Sequence, residues 1–334
     1  VGRLEAADVF FCTNFLVCNS DEIDVLASAN LLAPLGLRAS RDRTNRAVAP
    51  TGGYTLAADL EHASRATFSD FDYERIVAEG TLFHGLPLGM VLAGRLRGGW
   101  LSASPFRGFE ATPRAGVRVA PPQKRFYAGG ANSVRGFAQN QLGPRVVTVG
   151  AEELLFPRNG EETAICAPEA VANLSCDASP LAEGDFASRP SGGSAVVEGS
   201  VELRFPIVGP YLAGGAFLDF GQVWSNPDDA ALGDLVVTPG FGFRYSTPIG
   251  PVRLDLAYRP AARQELPVVT SAIRPWVEGQ DPASSRILDP TTGERIDWVF
   301  VDALARLDTP VSFAEAEGFT WRRVQLQFSI GHAF

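Results

Sequence analysis

Few residues of this chain have the spacing that chemistry demands. The four cysteines fall as two close pairs, Cys12/Cys18 and Cys166/Cys176, each in a polar stretch. Zinc prefers CxxC spacing or nearby histidines, and His62, His84 and His332 lie elsewhere. Two short-loop disulfides, Cys12-Cys18 and Cys166-Cys176, formed in an oxidising compartment, are the better reading. The acidic residues Glu161, Glu162, Glu169, Asp177, Glu183 and Asp185 lack EF-hand spacing and read as a solvated loop. The chain contains no GxSxG elbow, no HExxH and no P-loop. We therefore expect no enzyme, no metal and no cofactor. What stands out instead is arginine: of 29 basic side chains only Lys124 is a lysine. A guanidinium is a planar, permanently charged fork of donors. Arg135, flanked by Gly129, Gly130 and Gly136, could present that fork to carboxylates wherever the glycines let the backbone approach closely.

The elements that would position such a fork are strands. Alternation with a period of two recurs over residues 35–43, 53–63, 73–83, 88–102, 197–205, 211–224, 235–246, 251–259 and 321–334, nine segments in all. In the last, Val324, Leu326, Phe328, Ile330 and Phe334 alternate with Gln325, Gln327 and Ser329. In 251–259, Val252, Leu254, Leu256 and Tyr258 alternate with Arg253, Asp255, Ala257 and Arg259. Glu198, Ser200, Glu202 and Asp219 likewise fall on polar faces. No uncharged stretch reaches the roughly 18–20 residues of a spanning helix, but strands of about 9–11 residues can cross a bilayer without such a stretch.

Connections alternate as well. Tight Gly/Pro turns at 85–87, 208–210 and 248–250 contrast with polar loops near 104–193, 225–234 and 261–320. Short turns at one end and long loops at the other suit an outer-membrane barrel, although alternation alone also fits a soluble sandwich. In a barrel, Arg41, Asp42 and Arg43 would form an ion-pair cluster in the wall, and Trp224, Trp321, Tyr211 and Tyr258 an interfacial aromatic girdle. The net charge of −9 opposes nucleic-acid binding, which needs surplus cations.

The run Arg125-Phe126-Tyr127-Ala128-Gly129-Gly130-Ala131-Asn132-Ser133-Val134-Arg135-Gly136-Phe137 resembles the FYxGGxxSVRGF loop signature of the BamA/TamA superfamily, the bacterial surface antigen family. Phe217-Leu218-Asp219-Phe220-Gly221-Gln222-Val223-Trp224 and Ile249-Gly250-Pro251-Val252-Arg253 follow in the family's order. The resemblance implies an all-β, antiparallel transmembrane β-barrel with long extracellular loops. The nine strands would be the last of an expected sixteen, and residues 1–334 a single, N-terminally incomplete barrel domain without POTRA modules. It also implies that Arg135, with Val134, Gly136 and Phe137, is held inside the barrel by acidic residues at the positions of Glu202 and Asp219. Phe328, Ile330 and Phe334 resemble the C-terminal strand signal of outer-membrane proteins.

By the same resemblance the protein would sit in the outer membrane of a Gram-negative-type bacterium, among outer-membrane lipid. It would assemble, insert or translocate other outer-membrane proteins, taking unfolded clients. Periplasmic chaperones and accessory lipoproteins would engage upstream modules. A two-partner-secretion pore for large adhesins and a passive porin or surface structural protein are the alternatives.

Overall fold

The computed structural model describes residues 2–3, 31–105, 118, 120–157, 163–209, 211–247, 250–315 and 318–331. Nine strands form one sheet: β1 Leu35–Asp42, β2 Gly53–Ala63, β3 Tyr73–Gly85, β4 Val91–Ala103, β5 Ala195–Val208, β6 Leu212–Trp224, β7 Val236–Thr247, β8 Gly250–Tyr258 and β9 Val324–Ile330. Each pairs antiparallel with its predecessor, so the sheet is an unbroken meander from β1 to β9. Among the described residues the sheet is open, with β1 and β9 at its edges. β4 and β5 pair in full register, Trp100 opposite Ala195 through Val91 opposite Arg204, although the longest connection separates them in sequence. Seven of the nine strands have 9 to 14 residues, matching the length a tilted strand needs to cross hydrocarbon.

Two strands start three residues later than the alternation pattern sets them. Pro87–Gly89 forms a 3-10 turn, so β4 begins at Val91 rather than residue 88. Trp321–Arg323 is a second 3-10 turn, so β9 begins at Val324 rather than residue 321. Proline at the start of the first turn and the left-handed φ of 61° at Leu88 are incompatible with a strand. Phe334 and Cys12-Cys18 lie outside the described residues.

The burial pattern reverses that of a soluble sandwich. Leu37, Leu56, Leu82, Leu96, Phe241, Phe243, Leu326, Phe328 and Ile330 project from the sheet into open space, whereas Arg135, Glu198, Glu202, Asp219, Arg244, Arg253 and Asp255 are buried on its other side. Burying seven charged groups while exposing the leucines would be very costly in water. A lipid-facing outer surface and a polar interior resolve it, as in a transmembrane barrel wall. Among the described residues no helix is long and apolar enough to cross a membrane.

The long loops are not simply polar excursions. Segments of the 104–193 and 261–320 connections build a second, five-stranded sheet in the order Arg286–Leu288, Arg295–Arg306, Val268–Pro275, Arg145–Thr148, Ala187–Pro190. The two connections join through a parallel pairing of Val268 with Val147 and Val269 with Thr148. Short helices Ala151–Leu155 and Pro168–Ala172 pack on it, and Leu154, Val171, Cys176, Val268, Leu307 and Val311 are buried together. Cys166 and Cys176 are disulfide-bonded within this cap, their Cα atoms 5.7 Å apart. Alternation does not reveal the cap because three of its five strands are only three or four residues long. Most of the partners are distant in sequence, so no local period marks them.

Other details depart from the expectations. Asp42 accepts hydrogen bonds from the backbone and hydroxyl of Thr44, both at 2.8 Å, and so caps a turn instead of pairing with Arg41 or Arg43. Trp224 is buried and donates to Asp234 at 3.1 Å, so it is not a girdle residue, whereas Tyr211 and Trp321 are exposed.

Candidate functional site

Residues 126–142 tuck against the inner face of the sheet. Phe126 pairs with Gly193 and Ala128 with Leu142 through isolated bridges. Between these points the chain reverses at Gly129 and Gly130, whose φ values of +102° and +104° suit glycine alone among common residues. A Cβ on Gly129 would also sit 2.6 Å from the Ala138 carbonyl oxygen. Phe126, Val134, Phe137 and Leu142 pack with Phe71, Tyr73, Leu101, Val196 and Val223 into an apolar cluster. That cluster fixes the loop's depth. The polar contacts fix its orientation.

Arg135 is 1% exposed. Its Nε and Nη2 donate to the two oxygens of Asp219, each at 2.7 Å, the bidentate geometry that a guanidinium makes best. Nη1 donates to Glu202 at 2.8 Å and to Asp255 at 3.3 Å, and Nη2 also reaches Ser200 Oγ at 3.1 Å. The Arg135 backbone N–H adds a third bond to Asp219, at 3.0 Å. Beneath the guanidinium lies the Phe217 ring, its centroid 3.2 Å from Cζ. Arg244 joins Glu202 and Asp255 at 2.9 and 2.8 Å, and Arg253 lies 3.2 Å from Asp255. Arg135, Arg244 and Arg253 thus neutralise Glu202, Asp219 and Asp255. Buried ions cost several kcal/mol each unless paired in good geometry, and here the pairing supplies both charge balance and directional bonds.

The resemblance groups Arg135 with Glu202 and Asp219, and the structure places the three in direct contact. Asp255 is an additional partner that the resemblance does not supply, although the alternation of β8 already sets it on the polar face. A second anchor is equally new. Ser133 donates to Glu198, which is 2% exposed and receives Arg95 Nη2 at 3.2 Å and Arg97 Nη1 at 3.0 Å. Arg95 Nη1 then grips the Asn132 carbonyl at 2.7 Å. From β9, Gln327 donates to the carbonyls of Arg135 and Phe137 at 3.3 and 2.9 Å. The loop is therefore bonded to β4, β5, β6, β8 and β9. Phe328 and Ile330 flank Gln327 and Ser329 on the opposite, outward face and do not touch the site.

Gly136 packs directly on β7. A Cβ there would lie 2.4 Å from Thr238 Cγ2 and 2.7 Å from its Cβ, and Thr238 is fully buried. Gly136→Ala should destabilise the fold by about 1–3 kcal/mol, read as a lower temperature for loss of the compact band on a semi-native gel. Thr238→Ala in the same chain should restore part of that loss by removing the clashing Cγ2. Equal temperatures for wild type and Gly136→Ala would show that the loop is not seated as described.

The anchored loop, inside a wall that is apolar without and charged within, lies in a stretch that matches a family model. The model of the Omp85 superfamily domain covers residues 18–273. The chain belongs to the Omp85 superfamily. This Omp85 chain is 30% identical over 116 residues to the outer membrane protein assembly factor BamA of Nitratidesulfovibrio vulgaris (strain Hildenborough), covering 35% of this chain and 13% of that protein. BamA from Haemophilus ducreyi lacking POTRA domains 1-3, known from a crystal structure, is 19% identical with a TM-score of 0.46, the match covering 68% of this chain and 38% of that one. The Omp85 chain thus spans a minor part of both relatives.

Proposed function

We propose that this Omp85 chain forms part of an outer-membrane barrel wall that assembles, inserts or translocates other outer-membrane proteins, without enzymatic chemistry. Its partners would be membrane lipid and unfolded outer-membrane protein clients, with chaperones and accessory lipoproteins acting through other modules. The observation that supports this reading is the loop held by Arg135 on three buried carboxylates. A segment fixed on the inner face takes up space that an open water-filled channel would leave free. An assembly machine needs a wall that keeps its shape while one part of it yields, and a strut bonded to five strands supplies that stiffness.

Depletion of the protein in its host, followed by quantification of folded outer-membrane proteins, tests the proposal. Folded outer-membrane proteins should fall broadly. Unchanged levels, together with a large and stable single-channel conductance of the purified protein, would mark a passive porin instead. Loss of one secreted adhesin with other barrels intact would mark a secretion pore.

A further inference from the structure

β9 is the shortest strand of the sheet, seven residues against 13 for β6. It pairs with β8 alone, from Val324 opposite Tyr258 to Ile330 opposite Val252. Among the described residues no strand lies on its other side. Its outward side chains Leu326, Phe328 and Ile330 are exposed. A short strand held by one ladder opens more readily than a central one.

On its inward face β9 is tied to the loop. Gln327 donates to the carbonyls of Arg135 at 3.3 Å and Phe137 at 2.9 Å. Ser329 Oγ accepts from Arg253 Nε at 2.9 Å, and the same guanidinium donates through Nη2 to the Ala131 carbonyl and to Asn132 Oδ1. Arg253 is buried, so it joins β9 to the loop from the neighbouring strand. On the other side, Asn132 and Ser133 are held by Arg95 of β4 and Glu198 of β5. Residues 131–137 therefore lie between two sets of anchors, one on β4–β6 and one reaching β9.

Opening β9 with the loop seated would break the ladder and also strip these bonds inside a closed space. Opening it after the loop has lifted would break the ladder alone. That difference makes each motion favour the other. We propose that the seated loop is a latch on the edge strand. β9 parts from β8 together with release of residues 131–137, and Gln327 and Arg253 carry the coupling. The inference concerns the loop and one strand, and it neither needs nor tests an assembly activity.

Hydrogen exchange read by mass spectrometry on the full chain in detergent micelles follows both elements separately. Gln327→Leu keeps the bulk and removes the donors. Exchange should quicken about tenfold in β9 and in residues 131–137, the ratio that about 1.4 kcal/mol gives. Gln325→Leu is the control. It lies on the same strand and face, and among the described residues its side chain reaches only the Leu326 carbonyl, so both regions should keep wild-type rates. Ser133→Ala is the decisive variant, because it frees the loop from Glu198 while leaving the β9 contacts in place. It should quicken exchange in β9 as well as in the loop by at least about threefold, with the β1–β2 ladder unchanged. Faster exchange in the loop with β9 at its wild-type rate would overturn the proposal. So would an equal quickening across the whole sheet, which would mark a general loss of stability. Equal effects of Gln325→Leu and Gln327→Leu would overturn it as well.

Discussion

Arg135→Ala should lower the stability of the folded barrel by about 3–5 kcal/mol, the usual cost of removing one partner from a buried ion pair. Arg244 and Arg253 would still neutralise Glu202 and Asp255. Asp219 would not be rescued, because its bonds come from Arg135 and from Ser200 Oγ at 2.6 Å, and it is fully buried. The loss should appear as an earlier disappearance of the compact band on heating and as reduced outer-membrane protein assembly in cells carrying the variant. Two companions identify the cause. Arg135→Lys keeps the charge but not the bidentate fork, so it should recover only part of the stability. Arg135→Ala with Asp219→Ala should cost less than the sum of the two, since the stranded carboxylate is gone. Wild-type melting and assembly in Arg135→Ala would refute the role assigned to this side chain.

The second large effect is expected at Glu198. Replacing it with alanine strands Arg97 and removes one of the two carboxylates that hold Arg95, the other being Glu79 at 3.0 Å. It also leaves Ser133 without its acceptor. A loss of about 3 kcal/mol follows from breaking a buried pair of this kind. Glu198→Gln keeps an acceptor for Ser133 without the charge and should lie between. Because Ser133 and Arg135 belong to the same short segment, releasing either anchor should slacken the other. The double variant Arg135→Ala/Glu198→Ala should therefore cost less than the two single losses added, and strict additivity would show that the anchors act separately.

Several features of this molecule are visible in its sequence for physical reasons. Side chains alternate across a strand with a period of two, so the nine strands and their two faces are directly legible, with Glu202, Asp219 and Asp255 all on the polar one. Gly129 and Gly130 announce a reversal because their positive φ values strain other residues. The pairing of Arg135 with Glu202 and Asp219 is reached only through a family resemblance, since 67 and 84 residues separate the partners and no local rule joins them. Glu198 carries no signal of its own: its partners Arg95, Arg97 and Ser133 meet only because β4 and β5 pair across the longest connection.

The cap makes the same point from the other direction. Its strands come from two connections far apart in the chain. The parallel pairing of Val268 with Val147 and of Val269 with Thr148 forms only when both connections are folded back over the sheet. Local chemistry set out the alternating strands and the glycine turns, and the resemblance carried by residues 125–137 decided between barrel and sandwich. Tertiary structure decided which carboxylates Arg135 holds and that the long loops build a second core. Each of these depends on contacts between residues that sequence distance keeps apart.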